Sequence, residues 1–443
     1  MNPDPPASDS FLRIDAAAAA DGNGLEVAPA SLLLRVGADP SRPGVLTGEA
    51  VLLAIGSPRE VDEHPLAAKA VVRSRPGCLI VPGLVNAHAH LDLTHIGPRP
   101  YLKDRGFSGF VETVRAERCS EDGAIAASVV RGAAMSEAGG VVAVGDIAGA
   151  PLGRPCLAPL AAMRTTSLTG PSFLEFFAIG TGEERARRAV SEAVENVEAN
   201  SHVRFGLQPH APTTVALSTY RWALREFGRT LPFTTHLAET PEEHEFIARA
   251  AGPQREFLEM LGLWEDRMLG EIGHGRTPVG HMAGVLAEAP FLCAHVNDCS
   301  DEDLRILAGT PTSVAYCPRA SGYFGAHEHF GPHRYRDMLA AGINVCLGTD
   351  SIINLPPGTD RLSTLDEARF LYRRDRTDPA SLLRMATING ARALGLNEKH
   401  FGFNIGSQLA GLLAVPFRPT PGLTPLAAAL SGDSLPEHVL FGK

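Results

Sequence analysis

Hydrophobic and polar positions divide the chain into three textures. Residues 1–75 hold short apolar runs, Ser31–Val36 and Ala50–Ile55 among them, broken by Pro40, Pro43, Gly44 and Gly56. No helical period appears there, so a small β unit is expected. From residue 78 short apolar runs alternate with longer stretches of helical spacing, the pattern of a parallel α/β fold. Eight strands are expected, at 78–87, 141–147, 164–169, 203–208, 232–236, 290–295, 312–317 and 343–350. Helices are expected at 121–138, 182–200, 215–228, 241–261, 300–309, 333–341, 361–374 and 379–394. After residue 400 the helical signal fades and residues 408–415 read as strand.

Eight strand–helix units predict a closed (β/α)₈ TIM-type barrel. An open doubly wound sheet is the alternative, but no Gly-x-Gly-x-x-Gly follows a strand to support it. The expected division is 1–77 and 399–443 for a small β-sandwich domain built from both chain ends, with the barrel over 78–398.

Composition narrows the function class. With 443 residues, 44% hydrophobic and 20% charged, the chain reads as an ordinary globular protein. A net charge of −10 without a dense Lys/Arg run points away from nucleic acid. The seven cysteines are scattered, odd in number and without Cys-x-x-Cys, which suits reduced thiols in the cytoplasm. The first thirty residues lack a basic segment followed by an apolar core, and no stretch reaches membrane-spanning length, so neither a secretory leader nor a membrane partner is expected.

The chemistry lies where the strands end. The run Leu79–Ala87 leads into His88-Ala89-His90, and alternate residues of a strand share a face, so both imidazoles point the same way. His210 follows the fourth strand, His236 ends the fifth with Glu239 just beyond, His295 ends the sixth and Asp350 the eighth. A single histidine at a strand end is usually capped or solvated. Five strand ends sharing the pattern, at the rim where such barrels carry their active sites, point instead to a divalent-metal site.

These stretches resemble the amidohydrolase superfamily, specifically its branch of cytosine-, guanine- and adenosine-type deaminases and triazine hydrolases (chlorohydrolases). The resemblance rests on Pro82–His90, Pro209–Pro212, Thr235–Glu239, Ala294-His295, Leu347–Ser351 and Ala386–Gly395. It implies that His88, His90, His236 and Asp350 ligate one metal ion, that Glu239 and His295 handle protons, and that His210 contacts substrate. Zinc is the first choice, with iron or manganese compatible with the same donors. Such an ion lowers the pKa of bound water towards about 7 and so supplies hydroxide at neutral pH. Many superfamily members hold two ions on a modified lysine of a middle strand, but here no lysine occurs between Lys103 and Lys399. A single ion is therefore expected.

The implied activity is hydrolytic deamination of an amino-substituted purine, pyrimidine or nucleoside-like heterocycle. Triazine-type dechlorination, cyclic-amide hydrolysis and a non-catalytic ligand-binding relic are the alternatives. The small heterocyclic substrate is the expected partner, alongside self-association. The loop Cys317-Pro318-Arg319-Ala320-Ser321-Gly322 departs from the family's Cys-Pro-x-Ser-Asn and leaves the substrate open. His95 in the first rim loop, Glu175 after the third strand, and Arg319 are further substrate-binding candidates, with a surface salt bridge the alternative for Arg319. His327, His329 and His333 read as a solvated loop.

Overall fold

The computed structural model describes residues 10–38, 46–198 and 202–441. Eight parallel strands form the barrel: β6 (Leu84–Ala89), β7 (Val141–Ala148), β8 (Gly170–Phe176), β9 (Val203–Pro209), β10 (Phe233–Leu237), β11 (Phe291–His295), β12 (Ser313–Tyr316) and β13 (Asn344–Leu347). Each pairs with the next in chain order. A parallel bridge between Ala89 and Asp350 brings the two ends of the ring together. Most of these strands are buried on both faces, which explains their continuous apolar runs.

The β domain expected from both chain ends takes the form of one mixed eight-stranded sheet. Its strands are β1 (Ser10–Ala20), β2 (Glu26–Val27), β3 (Ala30–Ala38), β4 (Leu46–Gly56), β5 (Val71–Pro82), β14 (Gln408–Leu409), β15 (Gly411–Pro416) and β16 (Glu437–Phe441). Here the 77/78 boundary needs correction. β5 runs through Pro82 inside this sheet, paired to β15, and the barrel starts at Leu84. Only Gly83 separates β5 from β6, and a Cβ there would lie 2.6 Å from Val142 Cγ2. One unbroken apolar run thus serves two sheets.

The third barrel strand also differs: 164–169 is not strand. Thr165 and Thr166 turn their hydroxyls back onto the carbonyls of Ala162 and Met163, closing the helix Ala158–Met163, and strand pairing proper starts at Gly170. Glu175 consequently lies inside β8. The expected helix 241–261 is broken into Pro241–Arg249 and Pro253–Met260 by left-handed Ala250 and by Gly252 before Pro253. Likewise 379–394 divides at Thr387 into Pro379–Met385 and Ile388–Ala393. Unexpected helices at Pro58–Asp62, Gly106–Glu117, Pro278–Leu286, Pro318–Tyr323, Ala326–Phe330 and Pro425–Ser431 complete the main differences. No helix of the described residues is long and apolar enough to cross a membrane.

Candidate metal centre

β6 delivers His88 and His90 to one face, and both are buried. β10 delivers His236, β11 His295, and the segment after β13 Asp350. The ring centroid of His88 lies 5.2 Å from that of His90, 5.0 Å from His236 and 5.5 Å from His295. The Nε2 atoms of His90 and His236 approach to 3.3 Å. Asp350 Oδ1 stands 3.4 Å from His90 Nε2 and 3.7 Å from His88 Nε2.

Two features make this cluster a fit for a divalent ion. His88 Nδ1 and Nε2, His90 Nδ1 and His295 Nε2 are buried without a hydrogen-bond partner, a costly state for polar atoms. Burial also pushes the rings towards neutrality, His90 to about 4 and His295 to about 3, although Asp350 pulls both upward. Neutral imidazoles are what ligation requires. Burial alone would raise the Asp350 carboxyl, but His88 and the neighbouring imidazoles outweigh it and hold the group below its usual range. His88, His90 and His236 lie close enough together to hold one such ion, and Asp350, 3.4 Å from His90 Nε2 and 3.7 Å from His88 Nε2, could add an oxygen of the type zinc accepts.

Outer contacts hold the donors in place. The His236 Nδ1 atom lies 3.1 Å from the His210 carbonyl and 3.0 Å from the Gln208 amide nitrogen, which leaves Nε2 to face the cluster. Asp350 occupies left-handed backbone (φ 57) and donates its N–H to the His88 carbonyl at 3.0 Å. Asn86 fastens the same corner, donating to Thr349 Oγ1 at 2.8 Å and accepting from Thr349 N–H at 3.1 Å. Behind His90, Asp146 accepts from Leu91 N–H and Ser172 Oγ, and burial pushes its carboxyl up to about 7.

The proton-handling pair is also assembled. Glu239 Oε1 lies 3.5 Å from His295 Nε2. Burial first, and the Asp350 charge second, raise the Glu239 carboxyl well above the ordinary range, favouring its protonated form.

On the other side of His236, Glu175 Oε1 and His210 Nε2 face one another at 4.0 Å. The other Glu175 oxygen accepts from Ala150 N–H at 3.2 Å and from Arg118 at 3.4 Å. Thr214 donates its hydroxyl to Ala211, so the 2.8 Å contact to His210 places the ring proton on Nδ1 and leaves Nε2 an acceptor. Two acceptor atoms therefore flank one space.

Two candidates are engaged elsewhere. His95 is tied into the loop wall, Nε2 to the Glu117 carbonyl at 2.8 Å and Nδ1 to Ser128 Oγ at 3.0 Å and the Asp92 carbonyl at 3.1 Å. Arg319 directs Nε to Glu367 at 2.6 Å, and its own N–H binds the same carboxylate. That ion pair is buried rather than superficial.

Several participants escape a reading of the sequence. His333, expected to face solvent, stacks on Tyr316 and contacts the His295 carbonyl at 2.8 Å. Arg118 joins Asp92 at 3.0 Å to Glu175. Nothing local marks either one, because their partners lie tens of residues away. Glu243 did carry a signal: Thr240-Pro241-Glu242-Glu243 has the Thr-x-x-Glu pattern of a helix start.

The sequence matches the amidohydrolase family over residues 79–400. It is 30% identical to aminodeoxyfutalosine deaminase of Deinococcus radiodurans over 385 residues, covering 79% of this chain and 81% of that protein. Identity to the 5-methylthioadenosine/S-adenosylhomocysteine deaminase of Moorella thermoacetica is 28%, covering 82% of this chain and 80% of the other. A zinc-bound adenosine deaminase from Xanthomonas campestris has a similar fold, with a TM-score of 0.70 at 18% identity over 99% of this chain and 93% of that one.

Proposed function

The chain belongs to the amidohydrolase family, and from that premise we propose that it is a zinc-dependent aminohydrolase releasing ammonia from an amino-substituted purine, pyrimidine or nucleoside-like heterocycle. The observation that carries this reading is the largely buried Glu239 carboxyl, 3.5 Å from His295 Nε2 beside the imidazole cluster, where burial and the Asp350 charge favour its protonated form. An amine leaves a ring carbon only after gaining a proton, whereas chloride leaves without one. A carboxyl held protonated next to the attack site can supply that proton, besides the ring-nitrogen proton that addition requires with either leaving group.

His88, His90, His236 and Asp350 would hold the ion, which would supply water activated for attack at neutral pH. His295 orients that water by hydrogen bonding and stabilises the charge that develops on it. As the new C–O bond forms, Glu239 gives a proton to the adjacent ring nitrogen and recovers one from the attacking water. It then protonates the amine, the C–N bond breaks as the remaining hydroxyl proton passes back to Glu239, and ammonia leaves behind a ring carbonyl. Glu175 Oε1 and His210 Nε2, both acceptors, receive an N–H or O–H donor of the substrate. His95 is left out of this assignment because its ring nitrogens bind Glu117 and Ser128, whereas Arg319 binds Glu367 through Nε but keeps Nη2 buried and unpaired, and stays a substrate-binding candidate. The described cysteines are all free thiols, which fits a cytoplasmic setting.

The reading is supported by the deaminase relatives and is tested by a screen. Zinc-loaded protein is incubated with adenosine, 5′-deoxyadenosine, 5′-methylthioadenosine, guanine and cytosine, and ammonia is measured, with the chloro analogue of each ring in parallel. Ammonia release from at least one amine is expected. Turnover of chloro compounds alone would favour the dehalogenating alternative, and no turnover of either kind would refute the hydrolytic reading.

A further inference from the structure

Glu239 stands where regular structure has ended. β10 stops at Leu237, and Ala238 adopts φ 54, a left-handed conformation that is strained for a non-glycine residue and persists only when neighbours impose it. The neighbours here are specific. Glu243, in the first turn of the helix Pro241–Arg249, accepts the Ala238 N–H on Oε1 at 2.9 Å and the Glu239 N–H on Oε2 at 2.7 Å. The Ala238 carbonyl accepts from Asp298 N–H at 3.0 Å. The Glu239 carbonyl accepts from Asn297 Nδ2, also at 3.0 Å. Ser321 in turn donates its hydroxyl to Asn297 Oδ1.

All four main-chain polar groups of Ala238 and Glu239 are thereby taken, by Glu243 of the helix after β10 and by Asn297 and Asp298 after β11. The Glu243 side chain is buried, and each of its oxygens faces one of the two amides. A helix N-terminus alone would not need this arrangement, because Thr240 already caps the helix through the Glu243 N–H. Ser321 belongs to the loop that departs from the family pattern, so that departure reaches the Glu239 backbone through one intermediate residue.

We propose that Glu243, with Asn297 and Ser321, is a positioning clamp that holds the Glu239 carboxyl in register with His295 and the reacting carbon. The clamp rests on the reading of Glu239 as proton shuttle. Glu243 acts through the backbone and touches no substrate, so its loss should impair proton transfer while sparing substrate binding. Glutamine keeps the size of the side chain but offers one acceptor where two amides require one each.

The test compares wild type, Glu243→Gln and Ser321→Ala, loaded with zinc, by crystallography and by kinetics on the amine substrate and its chloro analogue. In Glu243→Gln the Glu239 carboxyl should leave its place beside His295 while His88, His90, His236 and Asp350 stay put. kcat for the amine should fall about 100-fold, the usual penalty for an ångström-scale misplacement, with KM little changed. The chloro compound should lose less, because it needs Glu239 for the ring nitrogen and the attacking water but not for the departing chloride. Ser321→Ala should shift both readouts the same way by a smaller amount, and it remains informative if Glu243→Gln does not fold. A Glu239 carboxyl unmoved in the crystal, or equal losses on amine and chloride, would overturn the clamp. If wild type turns over no amine, the shuttle reading fails, and the clamp is still decided by where Glu239 lies in the variant crystals.

Discussion

In the end sheet, β1 pairs with β3 through seven consecutive residues, and its side chains alternate between buried and half-buried positions from Leu12 to Ala18. At the barrel mouth the backbone leaves regular geometry at Ala238, His295, Val296 and Asp350, each at or just beyond a strand end and each with positive φ. The same contrast holds for polar groups. Arg13, Asp15 and Ser31 in the end sheet satisfy one another, whereas the imidazoles of His88 and His90 lie buried with ring nitrogens unpaired. Gly83 alone separates the two regions along the chain. One is arranged for stability and the other for chemistry, with left-handed backbone and unpaired imidazole nitrogens gathered at the second.

The sharpest way to break this contrast is at Glu239. Glu239→Gln should lower turnover about 10²–10⁴-fold, the range associated with loss of a general acid–base, while metal content is retained. A near-normal rate on the true substrate would remove Glu239 from the proton path. The reciprocal experiment uses Leu32, fully buried in the end sheet. Leu32→Ala should cost about 2–5 kcal/mol in denaturant unfolding and leave kcat unchanged. If activity fell with stability, the two regions would not be separable.

A subtler effect concerns pH. Burial raises the Glu243 carboxyl from 4.5 to about 7, against the opposing pull of the Glu239 and Ala238 amides. Between those values the folded chain keeps a proton that the unfolded chain has released, so this contribution to stability is complete below about 4.5 and lost as pH rises through about 7. Glu243→Gln should remove that slope whatever its pH-independent cost. Parallel pH–stability curves for wild type and variant would show that Glu243 titrates normally. The smallest effect is expected at His95, whose two ring nitrogens are already engaged with the wall of the first loop. His95→Gln should change KM by no more than about twofold, and a rise of tenfold or more would restore His95 to the substrate site.

How much of this was legible in the sequence differs between the regions for the same physical reasons. Strand-end histidines announce themselves because a rigid strand converts His-x-His into a shared face, and the barrel follows from eight apolar runs. The end of β5 was hidden because Leu79–Val85 is apolar throughout, and the break at Gly83 comes from tight packing against Val142 and Gly411. The third strand was displaced because threonines that favour strands also close helices. Long-range partners such as Glu367 for Arg319, and Asp92 and Glu175 for Arg118, have no spacing that a linear reading can detect.

The central claim, a single-ion hydrolytic site formed by His88, His90, His236 and Asp350, is tested most directly by elemental analysis of the purified chain after reconstitution with zinc. One ion per chain is predicted, lost in His88→Ala and kept in Glu239→Gln. Two ions per chain, none, or one that survives His88→Ala would contradict it.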